Sequence, residues 1–215
     1  MAQATLSARK YKRLAVEAFR NSLRLFKDAQ TLFATASWPT AFQLTVLAIE
    51  EFAKARWVDH VYYSSITNSG LPDEQLEQEF LRHLYFHQTK QEWYLQVEYV
   101  DFSPKLHRAV KGGLLDRRKQ DATYVGLPKK GKRVNVSARV SIPDQIKKTE
   151  AKQLMSLFAK ELREIYKLLE RNETYFGIKE MDEVVMSHEF APAFTSTHKR
   201  SGLKSPSFRK ANRAS

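Results

Sequence analysis

Four polar residues follow one another at helical spacing in the middle of the chain, and their types are suited to proton transfer or metal binding. Glu79, His83, His87 and Lys90 are separated by steps of four, four and three, which places them on one face of a continuous helix. Two histidines and a glutamate are metal-ligand types. However, Lys90 shares the face and no further ligand is identifiable, so the sequence predicts no metal and no cofactor. Acid–base chemistry remains open, because histidine titrates near neutrality.

A second polar group lies in an otherwise apolar segment. Residues 41–58 are apolar on nearly every face, which is typical of a helix at the centre of a bundle. Glu50, Glu51 and Lys54 interrupt this segment, and buried charges must be paired. We therefore expect a polar seam in which these three residues meet His87 and Lys90 of the next helix. Removing Lys54 is expected to leave a glutamate unpaired in an apolar environment.

Basic charge is concentrated in two parts of the chain. The formal net charge is +12, residues 105–139 hold eleven basic residues against two acidic ones, and residues 196–215 hold six against none. Such segments attract polyanions. The predicted nucleic-acid-binding residues are Arg117, Arg118, Lys129, Lys130, Lys132 and Arg133.

The pattern of apolar residues and helix breakers predicts an all-α protein. Helices are expected over about 5–36, 39–64 and 73–97, over a shorter segment from Ser103-Pro104 to about Gly112-Gly113, and from Pro143 onward. Residues 120–142 alternate in a β-like manner and are expected to form an exposed basic excursion, with a short hairpin. Long helices with short joins predict one antiparallel bundle over residues 1–176. Residues 177–215 are expected to be a flexible basic tail.

The chain has no cysteine and no apolar run long enough to cross a membrane, so a soluble, cytoplasmic protein without membrane contact is expected.

Three motifs resemble those of the AbiV family of abortive-infection proteins. Residues 48–55 are similar to the family's LEELGKA core, with Phe52-Ala53 in place of Leu-Gly. Phe80 followed by His87 and Lys90 resembles its F…HxxK segment. Arg117 or Arg118 followed by Tyr124-Val125 resembles its R…YVD turn, with Gly126 in place of Asp.

The resemblance implies a HEPN-type helical bundle, a homodimer and a role in halting phage multiplication. HEPN ribonucleases carry an arginine, a polar residue and a later histidine, and Arg82, His83 and His87 match this order. His87 would act on the ribose 2′-hydroxyl or the leaving oxygen, and Arg82 would hold the phosphate, without a metal. On one continuous helix these two residues point about 140° apart, so a bent helix or a second subunit would be needed.

Three functions remain open at this point. The first is a block of phage or host gene expression through RNA or the translation machinery, with metal-independent RNA cleavage as one route and a phage-encoded protein as a trigger. The second is a non-catalytic protein that sequesters a phage or host partner. The third is a nucleic-acid-binding regulator that uses the basic excursion.

Overall fold

The computed structural model describes residues 6–67, 74–96, 104–127, 129–130, 133–171 and 173–187. Two long helices, α1 (Ala8–Ala34) and α2 (Trp38–Thr67), form an antiparallel pair joined by a short turn. Ser7 caps α1 by accepting a hydrogen bond from the Lys10 amide at 3.4 Å. The turn uses Ala36 with a positive φ of 65°.

Helix α2 is the centre of the bundle, as its all-round apolar pattern predicts. It packs against α1 and three later helices: α4 (His87–Tyr94), α6 (Leu114–Asp121) and α7 (Lys148–Glu170). Phe52 lies at the middle of this core, in contact with the rings of Phe19, Tyr94 and Phe158. The all-α bundle is therefore confirmed.

The predicted third helix is two helices. Helix α3 (Glu74–His83) ends before a turn over residues 84–86, and α4 begins at His87. No proline or glycine marks this break. Phe86 is extended, with φ −87° and ψ 116°, and Leu84 is buried in the core. Phe80 of α3 stacks on Trp93 of α4 across this turn, with ring centroids 6.3 Å apart.

The region after α4 contains one more helix than the sequence analysis expected. Helix α5 (Pro104–Lys111) ends at Gly112-Gly113 as predicted, and α6 follows immediately. Gly113 has a φ of 64°, a conformation that glycine adopts without a steric penalty. This turn brings α6 onto α2.

The basic excursion is a small hairpin, as predicted. Strand β1 (Lys129–Lys130) pairs antiparallel with β2 (Arg133–Val134), and an isolated bridge joins Gly126 to Ser141. Val136 and Val140 are exposed. A short 3-10 turn, Pro143–Gln145, then leads into α7.

The flexible tail was predicted to begin at residue 177, but a packed helix follows that point. Helix α8 (Lys179–Met186) follows α7 and buries Ile178, Met181, Val184 and Val185 against the bundle. The buried carboxylate of Asp59 accepts hydrogen bonds from the amides of Gly177 and Ile178, at 3.1 and 2.7 Å. Packing of an eight-residue helix therefore extends the bundle to residue 187, and residues 188–215 lie outside the described part of the chain.

Within the described residues, none of the helices combines the length and hydropathy needed to cross a membrane.

Candidate active site

The carboxylate of Glu50 lies inside the bundle, on the face of α2 that meets α4 and α6. Only 1% of its surface is exposed. An unpaired carboxylate at this position would strongly destabilise the fold. The hydrogen-bond partners of Glu50 therefore determine whether α2 can be buried here. Both carboxylate oxygens have hydrogen-bond partners from other helices, and one of these partners is His87.

His87 is the first residue of α4, and its Nδ1 atom lies 2.6 Å from Oε2 of Glu50. The imidazole side chain is 53% exposed, so its far edge faces solvent. A carboxylate only accepts hydrogen bonds, and Nδ1 is therefore the protonated nitrogen in this contact. The neutral ring then carries its free lone pair on Nε2. A histidine in this tautomer can take a proton from a bound group.

The other oxygen of Glu50 is held by two donors. Oε1 accepts hydrogen bonds from Nε2 of Gln91 at 2.7 Å and from Nζ of Lys119 at 2.8 Å. Lys119 is itself buried and pairs with Asp116 at 2.9 Å. These contacts fix the carboxylate plane, and that plane fixes the orientation of the His87 ring.

Lys119 belongs to this site, although the sequence did not indicate it as a site residue. The residue lies in the run Arg117-Arg118-Lys119, where it resembles a solvated basic surface. The spacing of Lys119 from Leu115 is the sequence feature that indicates its burial. Leu115, four residues earlier, is buried on the same face of α6.

Part of the predicted polar seam is present, because Glu50 and Glu51 of α2 meet residues of α4, whereas Lys54 pairs within α2. Lys54 pairs with Glu51 at 2.7 Å on α2, and Lys90 of α4 lies 4.0 Å from a carboxylate oxygen of both Glu50 and Glu51. Burial lowers the pKa of Lys90, and the two carboxylates oppose this shift. Glu51 also accepts a hydrogen bond from Asn21, at 3.2 Å, so Lys54 is one of several partners.

Arg82 and His83 lie on the other side of the helix break. Arg82 is exposed at the end of α3, and within the described residues no hydrogen bond or ion pair joins it to His87. His83 pairs loosely with Glu79, at 3.8 Å. The shared face of Glu79, His83, His87 and Lys90 assumed one continuous helix and was therefore wrong. The break is a bend of the kind that was left open for Arg82 and His87, but it does not join these two residues.

No metal cluster forms from these side chains. Among the residues that the structure describes, no three His, Asp or Glu side chains come together as a metal site.

The basic residues of the predicted nucleic-acid surface fall into two groups. Arg118 is held by the carboxylate of Glu150, with Nη2 at 2.7 and 2.8 Å from its two oxygens, so it joins α6 to α7. Arg117 and Arg133 are exposed. Lys132 and the side chains of Lys129 and Lys130 lie outside the described part of the structure.

The amino-acid sequence matches a known protein family. A family model described as AbiV, a HEPN family, matches residues 10–164, which is more than half of the 215 residues. The matched range includes Glu50, His87 and Lys119. A search of curated proteins and a search of solved structures found no significant match. On the family match, the chain belongs to the AbiV family of HEPN abortive-infection proteins.

Proposed function

We propose that this abortive-infection protein blocks gene expression by cleaving RNA without a metal, and that His87 is the acid–base residue. The observation that carries the proposal is the contact between His87 and the buried Glu50, at 2.6 Å, with the imidazole half exposed. A buried carboxylate that fixes one ring nitrogen and leaves the other towards solvent is a common arrangement for a general base.

The reaction would proceed in one displacement. Nε2 of His87 takes the proton of a ribose 2′-hydroxyl, and the 2′-oxygen attacks the adjacent phosphorus. The bond from phosphorus to the 5′-oxygen breaks, and that oxygen takes up a proton from water or from a second acid. The products are a 2′,3′-cyclic phosphate and a 5′-hydroxyl end, so atoms and charge balance.

Two features of the α3–α4 region favour binding of the phosphate. Arg82 is an exposed guanidinium at the end of α3, and guanidinium forms paired hydrogen bonds with phosphate oxygens. The N-terminus of α4 has no side-chain cap at Phe86, which leaves amide N–H groups for an anion.

A homodimer would complete the site. Within one chain, the turn over residues 84–86 separates Arg82 from His87. A second copy, related by a two-fold axis, would supply an arginine and a second histidine as the acid for the leaving oxygen. Light scattering should give twice the 25.0 kDa chain mass at micromolar protein.

Incubation of the purified protein with total RNA in EDTA tests the chemistry. The expected result is cleavage that EDTA leaves unchanged, with 5′-hydroxyl and cyclic phosphate ends. Ends with 5′-phosphate, or cleavage that depends on an added divalent ion, would contradict the proposal.

A non-catalytic role is the second candidate. The hairpin exposes Val134, Val136 and Val140 next to Arg133 and Arg139, a mixed apolar and basic surface suited to an RNA or protein partner. A protein of this kind would bind RNA, the translation machinery or a phage-encoded trigger protein without cutting RNA. Unbroken RNA in the EDTA experiment, together with binding that weakens at high salt, would favour it.

A further inference from the structure

Two neighbouring aromatic side chains are exposed in the turn between α3 and α4, whereas among the described residues the other exposed tyrosines, Tyr63 and Tyr124, have no exposed aromatic residue beside them in the sequence. Tyr85 is 82% exposed and Phe86 is 52% exposed, whereas Leu84 beside them is buried. The turn has a defined shape, because the amides of Tyr85 and Phe86 donate hydrogen bonds to the carbonyls of Arg82 and His83, at 3.2 and 3.1 Å. Two adjacent rings on a fixed turn form a contiguous exposed surface that is available to a binding partner.

The neighbours of these rings point to the class of that partner. Arg82 precedes them and His87 follows them, and both have exposed side chains. Consecutive Cα atoms are about 3.8 Å apart, so the Cα atom of Tyr85 lies within about 8 Å of that of His87. The Phe86 ring also packs against the His83 ring, with centroids 6.0 Å apart, which restricts its orientation.

A guanidinium close in sequence to exposed rings is a combination that binds unpaired nucleic acid. The cation contacts the phosphate backbone, and the rings stack on bases whatever their sequence. A duplex does not offer the same contact, because its bases are already stacked on one another. A purely electrostatic surface would need no exposed tyrosine or phenylalanine.

We infer that Tyr85 and Phe86 form a base-stacking subsite that binds an unpaired nucleotide next to the phosphate at His87. The inference rests on the proposed function in placing RNA at His87, and it adds the substrate class: a single-stranded segment, read by its base faces. Tyr85 and Phe86 are binding residues and take no part in proton transfer.

Binding measurements on a His87→Ala background separate this subsite from the chemistry. The probe is a short single-stranded RNA in which 2-aminopurine replaces one adenine, since stacking on a ring quenches its fluorescence. Adding Tyr85→Ala or Phe86→Ala should weaken binding by about tenfold each and reduce the quenching. Ile66→Ala is the matched control, because Ile66 is an exposed apolar residue, 60% exposed, at the far end of α2. It should leave the affinity unchanged.

Two further probes make the result decisive. The first probe is the same oligonucleotide with an abasic nucleotide. It should bind to the His87→Ala protein as weakly as the intact oligonucleotide binds to the variants with Tyr85→Ala or Phe86→Ala added. The second probe is a duplex of the same sequence, which should bind less tightly than the single strand. Equal affinity for all three RNAs would overturn the subsite. So would ring variants that dissociate a dimer while keeping their RNA affinity, because the rings would then form a subunit contact. Neither result would affect the EDTA cleavage test, and absence of cleavage would not affect these affinities.

Discussion

Nδ1 of His87 and Oε2 of Glu50 lie 2.6 Å apart, although the residues are 37 positions apart in sequence and on different helices. The contact requires that α4 begin at His87, because the helix break turns this residue towards α2. It also requires that Glu50 be held from its other side by Gln91 and Lys119. The bundle therefore determines the tautomer and the direction of one half-exposed imidazole.

Glu50→Gln tests the carboxylate with little change of shape. The amide would leave Lys119 buried without its glutamate partner and would no longer fix the His87 tautomer. Removing one member of a buried pair typically costs about 3–5 kcal/mol of unfolding free energy. Urea unfolding should show a loss of this size, and RNA cleavage should fall even where the protein remains folded. Unchanged stability would mean that the buried charges do not need each other.

Lys119→Ala should destabilise the protein more than Lys54→Ala. The Lys119 side chain is 9% exposed and contacts the 1% exposed Glu50, whereas Lys54 is 20% exposed and its partner Glu51 has other donors. We expect about 3 kcal/mol or more for Lys119→Ala and about 1 kcal/mol for Lys54→Ala. This revises the expectation from sequence that removing Lys54 leaves a glutamate unpaired, because Glu51 also accepts a hydrogen bond from Asn21. Equal losses for the two variants in urea unfolding would contradict the assignment.

Gly177→Ala should weaken the attachment of α8. A Cβ atom at residue 177 would lie 2.7 Å from the ring of Tyr63, so the ring or the backbone would have to move. Overpacking of this kind costs about 1–3 kcal/mol. Gly126→Ala is the control, since nothing lies within 4 Å of a Cβ atom there. Calorimetry should show a lower Tm for the first variant alone.

Asp59 and Asp182 should give the protein a component of stability that decreases as pH rises. Burial raises the pKa of both carboxyl groups above the usual 3.8, against the opposing hydrogen bonds from backbone amides. The folded state therefore holds protons that the unfolded chain has released. The stability that these two carboxyl groups contribute is present below pH 3.8. It is lost as the pH rises through their raised pKa values in the folded state.

The Asp182→Asn variant isolates this effect. The difference in unfolding free energy between the original protein and the variant should shift in favour of the variant as pH rises from about 4 to 6. A difference that stays constant across this range would show that Asp182 titrates alike in the folded and unfolded chain.

Sequence patterns predicted the parts of the fold that depend on local chemistry. The all-round apolar segment around Glu50 predicted a central helix with paired charges, and the first helix was predicted over about 5–36, close to the observed Ala8–Ala34. The break after His83 was not predictable in the same way. Residues 84–86 contain no helix breaker. At the break Leu84 is buried and Phe80 stacks on Trp93, and both are tertiary contacts that local sequence patterns do not indicate.

The residues missed at the site depend on tertiary contacts as well. Lys119 has the same residue type as its exposed neighbours, and only the docking of α6 on α2 buries it. Helix α8 is eight residues long, too short to be stable alone, and it forms because α1 and α7 cover its apolar face. Neither fact is visible in local periodicity.

The most direct measurement of the central claim is single-turnover RNA cleavage in EDTA by His87→Ala, with His60→Ala as control. His60 is an exposed histidine on α2, ten residues and about 15 Å along the helix from Glu50. We predict that His87→Ala lowers the cleavage rate by about 100-fold or more while RNA affinity, Tm and the rate of the His60→Ala protein stay close to the original values. Plaque assays should show the same loss of phage protection. A folded His87→Ala protein that cleaves RNA and protects cells as well as the original would contradict the assignment of His87 as the acid–base residue.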